Sequence, residues 1–365
     1  MPYIVCSVFG AGIVLFIMGI VRWDKRHYLQ DPTLAKLKDC LRRGRRDAFN
    51  ALRIRWNFER SDMSSIRCFD QKKRMRLEGI RLDGLTLINA KFHQCDMQHA
   101  VLSGANLTEA HFLKTDMSGA IVINCSAQKC LLEKVNARGA TFSGSDLRSA
   151  LLTGDFRHAI LRRANMRNVN GAGTDFASAD LQDANLSGGQ LTGAHFVSAN
   201  GERAVFAKAK LEGACFMSAQ LDDASFAEAD IQGAHLQGAR LRSANFAGAF
   251  MARADLGRTI MTNADLTGAR LEGAKLDSAR LEGAKLFGAE LKGANLTGAQ
   301  LNKADFTDAD LRGANLSKAI LSNAVFDGAQ LANVTWTDAF GVPEEVYKRS
   351  AQETAEAMKL VKKAS

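Results

Sequence analysis

From Leu77 to Trp336 the chain repeats a five-residue pattern: a small residue, a polar one, a large apolar one, then two variable positions. Ala294-Asn295-Leu296-Thr297-Gly298 and Ala309-Asp310-Leu311-Arg312-Gly313 are two instances. A period of five matches neither the 3.6 residues of a helical turn nor the alternation of a plain strand, so it signals a solenoid. No charged residue occupies a central apolar position anywhere in the run. Each large central side chain removed from water contributes roughly 1.5–3 kcal/mol, and the small residue two places earlier lets adjacent walls meet at a corner.

These repeats resemble the pentapeptide-repeat family, whose motif reads Ala-(Asp/Asn)-Leu-x-x and here covers roughly 260 residues. The resemblance implies an all-β solenoid, a right-handed quadrilateral parallel β-helix with four pentapeptides per square coil. It also implies that the large residue and the small one before it point inward. Residues twenty apart should then stack, and the bulky side chains do fall into columns. Phe156, Phe176, Phe196 and Phe216 form one series. Phe206, Phe226, Phe246, Phe306 and Phe326 form a second, half a coil away. Leu221, Leu241, Met261 and Leu281 stand on another face, so rings on two opposite walls and aliphatic chains on the other two fill a square section. At a strand spacing of about 4.8 Å, about thirteen coils make a rod roughly 60 Å long.

The register opens with Leu77, Leu82, Leu87 and Phe92 and breaks once, between Leu152 and Leu161. Either one repeat is a residue short, which makes Phe156 a core residue, or four residues from Thr153 to Phe156 bulge outward. A bulge keeps Phe92, Phe112 and Phe142 on the same two aromatic walls as the later rings, and on that ground it is the favoured reading. Gly171 and Gly201 replace large central residues. They are read as harmless irregularities, with a ligand notch as the alternative.

The flanks differ in kind. Tyr3 to Val21 carries no charge over nineteen residues, which as a helix spans about 28 Å, the thickness of a bilayer core. Only Met1 and Pro2 precede it and Arg22 follows directly, so residues 3–21 read as a retained transmembrane helix rather than a cleaved signal. The 22–76 segment holds 17 basic and 7 acidic residues, net +10; the whole 365-residue chain is +9, so everything from Leu77 onward sums to −1. Basic flanks stay inside, which places the rod in the cytoplasm and, for a family that is mostly bacterial, the anchor in an inner membrane. Trp23 and Tyr28 suit the interfacial belt.

Asp31-Pro32 starts a helix, and Leu34, Leu37, Leu41, Phe49, Leu52 and Trp56 keep near-helical spacing. This reads as one helix broken near Gly44 or two short ones, with an apolar face on the first coil. Its arginines face solvent or an anionic leaflet. Domains are therefore expected at 3–21 (membrane helix), 22–76 (basic neck and N-terminal cap), 77–340 (repeat rod) and 341–365 (C-terminal cap). In the last, Pro343, Glu344 and Glu345 open a helix to Lys362 with Tyr347, Ala351, Thr354, Met358 and Val361 as its apolar stripe.

Chemistry is sparse. Cys95, Cys125 and Cys130 occupy the small inward place, where a thiol substitutes for alanine. Asp175, His195, Cys215, His235 and Asp255 stack in one outward column, but rungs about 4.8 Å apart do not converge on one ion as a tetrahedral metal site requires. His27, His93, His99, His111 and His158 form no recurrent group. No catalytic, cofactor-binding or metal residue is assigned, no cofactor is called, and an enzyme is not expected. The reading is a membrane-anchored, non-catalytic scaffold with an unknown protein partner; the membrane is met through the N-terminal helix and, through the neck, anionic lipid. A second copy of the chain through the C-terminal helix is a further option. Nucleic acid is disfavoured for want of stacking aromatics among the basic residues. The alternative is DNA mimicry toward gyrase, as in some family members, and the near-neutral rod argues against it.

Overall fold

The computed structural model describes residues 32–56, 62–68 and 74–364. The 3–21 stretch lies outside them; among the described residues no helix is long and apolar enough to cross a membrane. What is described is a parallel β-solenoid. Asp62 pairs with Thr86, Thr86 with Asn106, and so on through thirteen successive parallel bridges to Val325.

The five-residue unit follows from where its five N–H groups go. In Ala309 to Gly313, Asp310 donates to the Ala289 carbonyl of the preceding coil, while Leu311 and Gly313 donate to Gln330 and Ala332 of the next. Ala309 closes the preceding turn onto Phe306 at 3.0 Å. Arg312 alone has no backbone acceptor, and the Asp310 carboxylate takes its N–H at 3.1 Å. The same side-chain bond recurs from Thr297 to Asn295, Thr307 to Asp305 and Ser317 to Asn315. Asp or Asn stands before the central residue because it accepts the one donor the ladder leaves over.

The second turn residue sits at positive φ, near +60° in Gly213 and also in Lys208 and Ser243. That is the conformation a type II turn needs at its third position. Glycine adopts it freely and other residues at a cost of about 1 kcal/mol.

Four walls result, named here by their central residues: wall A through Phe92 and Phe112, B through Phe176 and Phe196, C through Phe142 and Leu161, D through Phe206 and Phe226. All these side chains are fully or almost fully buried. Like rings stack at 4.7–5.1 Å, as in Phe196–Phe216 and Phe226–Phe246. Rings of walls B and D meet edge to face, Phe206 against Phe216 at 5.6 Å.

The phase break is a one-residue deletion, not the favoured bulge. Phe156 is fully buried, and the pairing offset drops to nineteen at Thr141–Ile160, Asp146–Asn165 and Leu151–Asn170. One turn residue is omitted. Gly154 takes the small inward place opposite Val135, and the Thr153 hydroxyl accepts the Lys134 N–H at 2.8 Å where a carbonyl serves elsewhere. The aromatic columns consequently change walls there, from A and C to B and D. Phe142 and Phe156 meet across the change at 6.0 Å. The core needs a given volume per coil and accepts rings from either opposite pair of walls.

The ladder also begins before Leu77. Asp62 bridges to Thr86 and Arg67–Cys68 pairs with Lys91–Phe92, an offset of 24 that falls to 20 at Met75–Cys95. Four extra residues between Cys68 and Met75 hide this coil from a strict count of five. Ahead of it lie α1 (Pro32–Arg42) and α2 (Arg46–Trp56). Gly44, at φ 65°, ends α1 with Gly44 donating to Leu41 and Arg45 to Cys40, the pattern of a Schellman stop. Leu37, Leu41 and Phe49 are completely buried against the first coil. α2 is fixed to the corner between walls B and C: Arg46 donates to the Glu78 carbonyl, and Asn50 bonds both Gly79 and Arg81.

At the other end α3 (Glu344–Ala364) closes the rod. Its side chains take over hydrogen bonds that a further coil would make. Glu353 and Thr354 accept the N–H groups of Leu331 and Asn333, while Ser350 and Arg349 donate to the carbonyls of Leu331 and Phe326. The packed face is Val346, Arg349, Ser350, Glu353 and Thr354. It lies about one residue round from the apolar stripe expected, which leaves Tyr347, Ala351 and Met358 exposed.

Two glycine substitutions separate turn strain from steric conflict. A Cβ at Gly213 meets nothing within 4 Å, so Gly213→Ala should cost about 1 kcal/mol from φ alone. At Gly154 the new Cβ falls 2.8 Å from the Val135 nitrogen and closer still to its carbonyl oxygen, so Gly154→Ala should cost clearly more. Urea unfolding midpoints of the two variants, measured side by side, check that order.

Candidate interaction surfaces

The outward residues are the polar one before each central position and the two turn residues after it. Many of their charges are paired. Within a repeat, Arg148 meets Asp146 at 2.7 Å and Arg157 meets Asp155 at 2.6 Å. Across coils, Arg203 reaches Asp183 at 2.7 Å and Arg240 reaches Asp222 at 2.6 Å. These pairs are half exposed, so each is worth roughly 1 kcal/mol or less. Their larger effect is on the field. The guanidiniums beside Asp146, Asp155 and Asp310 hold those carboxyls below the usual range.

The Asp175, His195, Cys215, His235 and Asp255 column is formed as the spacing requires, each residue bridged to the next on wall B. The column continues to Lys275, whose ammonium lies 3.7 Å from Asp255. Among the described residues no group of three or more His, Cys, Asp or Glu converges to hold a metal ion. Neither Gly171 nor Gly201 opens a notch: the Leu191 and Leu221 side chains of the next coil lean to within 3.0 and 2.8 Å of where a Cβ would be. Cys95, Cys125 and Cys130 lie buried at the inward small place. Burial pushes their thiols up, to about 12, 11 and 12, which keeps them protonated and unreactive.

Two histidines that looked unrelated are brought together. His93 Nε2 lies 3.2 Å from His111 Nδ1, with the rings edge to face at 4.6 Å. His111 Nε2 is in turn 3.4 Å from a Glu133 carboxylate oxygen. His93 follows the central residue of one coil and His111 precedes that of the next, so they are eighteen apart, the same diagonal as the pair Arg162 and Asp180. A search for repeats of twenty passes over that spacing. Desolvation, then the nearby His111 and Lys91 charges, lower the His93 pKa, against a smaller raising effect of Glu133.

Apolar residues also face outward. Ile121 and Ile160 on wall C and Leu131 on wall A stand near the phase break; Ile320, Val325, Phe340, Met358 and Leu360 cluster toward the C-terminal end.

The family model for pentapeptide repeats matches in eight copies between residues 86 and 335. Together with the twenty-residue ladder this settles the class: the chain belongs to the pentapeptide-repeat family. No curated protein sequence matches it. Among solved structures, HetL, a pentapeptide repeat protein involved in heterocyst differentiation regulation in the cyanobacterium Nostoc sp. Strain PCC 7120, is 25% identical over 80% of this chain and 97% of its own, with a TM-score of 0.19. QnrB1, a plasmid-mediated fluoroquinolone resistance protein, is 20% identical over 55% of this chain and 96% of its own, with a TM-score of 0.32. A pentapeptide repeat protein from the Arabidopsis thaliana thylakoid lumen is 28% identical over 28% and 72%, with a TM-score of 0.19. At such scores the superpositions carry no argument, and the assignment rests on the repeat itself.

The histidine pair carries a pH dependence. Because the folded pKa of His93 is depressed, the unfolded chain binds more protons once pH falls through the ordinary histidine value of about 6.5, and stability falls with it. The loss is complete below the folded pKa. Protection factors of the Lys91–His93 amides, with the pH dependence of intrinsic exchange divided out, should therefore fall between pH 7 and pH 5, and His93→Gln should flatten that fall while leaving protection around Phe226 untouched.

Proposed function

We propose that this protein is a membrane-anchored, non-catalytic scaffold whose rod offers a protein partner four long walls of polar residues. The observation that carries the reading is the rod itself: a continuous buried core whose outer surface carries many locally paired charges. The uncharged 3–21 run and the net charge of +10 in residues 22–76 support an anchor with the rod on the cytoplasmic side of a bacterial inner membrane. The exposed Tyr347, Met358 and Leu360 on α3 support a contact with a second copy of the chain.

DNA mimicry toward gyrase is the second reading, and surface charge weighs against it. An imitation of duplex phosphate needs unbalanced carboxylates in long rows. Here Asp146, Asp155, Asp183, Asp222 and Asp310 each have an arginine within 4 Å.

Fractionation separates these ideas. The full chain is expected in the membrane pellet after an alkaline carbonate wash, with residues 31–365 expressed alone in the supernatant, and neither should inhibit gyrase supercoiling at tenfold molar excess. Proximity labelling from the two forms should return different neighbours. Recovery of the full chain in the soluble fraction contradicts the anchor, and inhibition of gyrase favours the second reading.

A further inference from the structure

We propose that wall B holds a binding site for one soft monovalent metal ion of the copper(I) kind, taken by Cys215, Met217 and His235. The site is independent of any anchor. Three observations lead there.

The first is the grouping of the donors. Among the described residues of the rod, Cys68, Cys95, Cys125 and Cys130 are buried at inward places, and Met166, Met251 and Met261 are buried at central ones. Cys215 stands instead in the outward place before Phe216, at 9% exposure, and Met217 stands outward directly after Phe216, at 40%. The outward thiol and the outward thioether of the described rod therefore share one repeat. His195 and His235 occupy the rungs before and after Cys215, each bridged to it and both exposed. Thiolate and thioether sulfur with imidazole nitrogen is a donor set that selects monovalent copper over harder ions.

The second is spacing. Neighbouring coils lie about 4.8 Å apart. Metal bonds to a thiolate and an imidazole, each about 2.0–2.3 Å, put two donors on opposite sides of one ion roughly 4.3 Å apart. Small side-chain rotations therefore bring Cys215 and a histidine of the adjacent rung in line on one ion, with Met217 approaching from the side. Among the described residues no three His, Cys or carboxylate groups converge. That arrangement does not suit the four-donor tetrahedron of zinc; it suits an ion that accepts two or three donors. On binding, the metal replaces the thiol proton of Cys215, which passes to solvent.

The third is charge, together with an oxygen left without a partner. Ala177, Ser178, Val197, Ser198, Ser218 and Gly238 fill this stretch of the wall and carry no charge. Asp175 and Asp255 are two coils from Cys215 and already face Arg157 and Lys275. A monovalent ion on a thiolate leaves the stretch neutral, whereas a divalent one leaves a bare charge. Gln237 lies one coil on from Met217, and its Oε1 is buried with no hydrogen-bond partner. A histidine that binds metal through one ring nitrogen donates the other N–H to such a carbonyl. His235 is two residues from Gln237 on the same wall, which selects it over His195 as the ligand.

Titration of the full chain in detergent with copper(I), under argon and against the coloured chelator bicinchoninate, tests this. The wild type should withdraw one equivalent more than Cys215→Ser, a variant whose serine is already native at the same place in the repeat of Phe226. Met217→Leu and His235→Asn should each weaken that withdrawal at least tenfold, and zinc(II) should not compete for it. Equal copper uptake by the wild type and Cys215→Ser overturns the site. Uptake that depends on Cys215 but is unchanged in Met217→Leu or in His235→Asn overturns it too, because it leaves a bare thiol or an incomplete donor set. Displacement of the copper by zinc(II) overturns the choice of a soft monovalent ion.

Discussion

Everything in this fold depends on the transfer of backbone hydrogen bonds from one coil to the next. Leu296 donates forward to Asn315, and Asn315 donates back to Ala294, so each rung holds both of its neighbours. The arrangement leaves one donor per repeat, which an Asp or Asn side chain accepts where one precedes the central residue, as Asn295 does for Thr297. Hence Asp or Asn before the central hydrophobe adds a bond to its repeat, although the repeats of Ile121, Phe250 and Ile320 form without one. Without one the donor at that corner has to find water or goes unpaired, at roughly 1 kcal/mol or more.

The same ladder explains both ends. A stack of coils terminates in a layer of unpaired donors and acceptors over an apolar section, an arrangement that invites further stacking. At the N-terminal end Leu37, Leu41 and Phe49 cover the section. At the C-terminal end the solution is mostly polar: Ser350, Glu353 and Thr354 stand in for the missing coil, and the Trp336 indole donates to Ser350 at 3.1 Å. The outer surface is what remains for function. Many of its charges are paired within a repeat or across coils, and residues 129–167 around the phase break carry an excess of basic side chains.

The sequence is legible wherever the count of five alone decides the outcome. Central residues from Leu77 to Trp336, inward cysteines and the stacked Asp175–Asp255 column all lie where spacing puts them. Legibility fails where a local exception intervenes. Phe columns could not decide the phase break, because a core of given volume accepts rings on either pair of walls. The first coil was hidden by four extra residues before Met75. The face of α3 was displaced because hydrogen-bond demand at the last coil, not apolar periodicity, sets how that helix sits. His93 and His111 meet on a diagonal that a search along columns does not test.

The direct test of the account is distance along one wall. Non-natural spin labels in pairs at Ser187 and Thr267, and at Ser187 and Thr307, place four and six rungs between sites that each follow a central residue of wall D. Pulsed electron resonance should give separations of about 19 and about 29 Å, increasing by about 4.8 Å for every twenty residues. Separations that do not rise in proportion to the number of coils would contradict it.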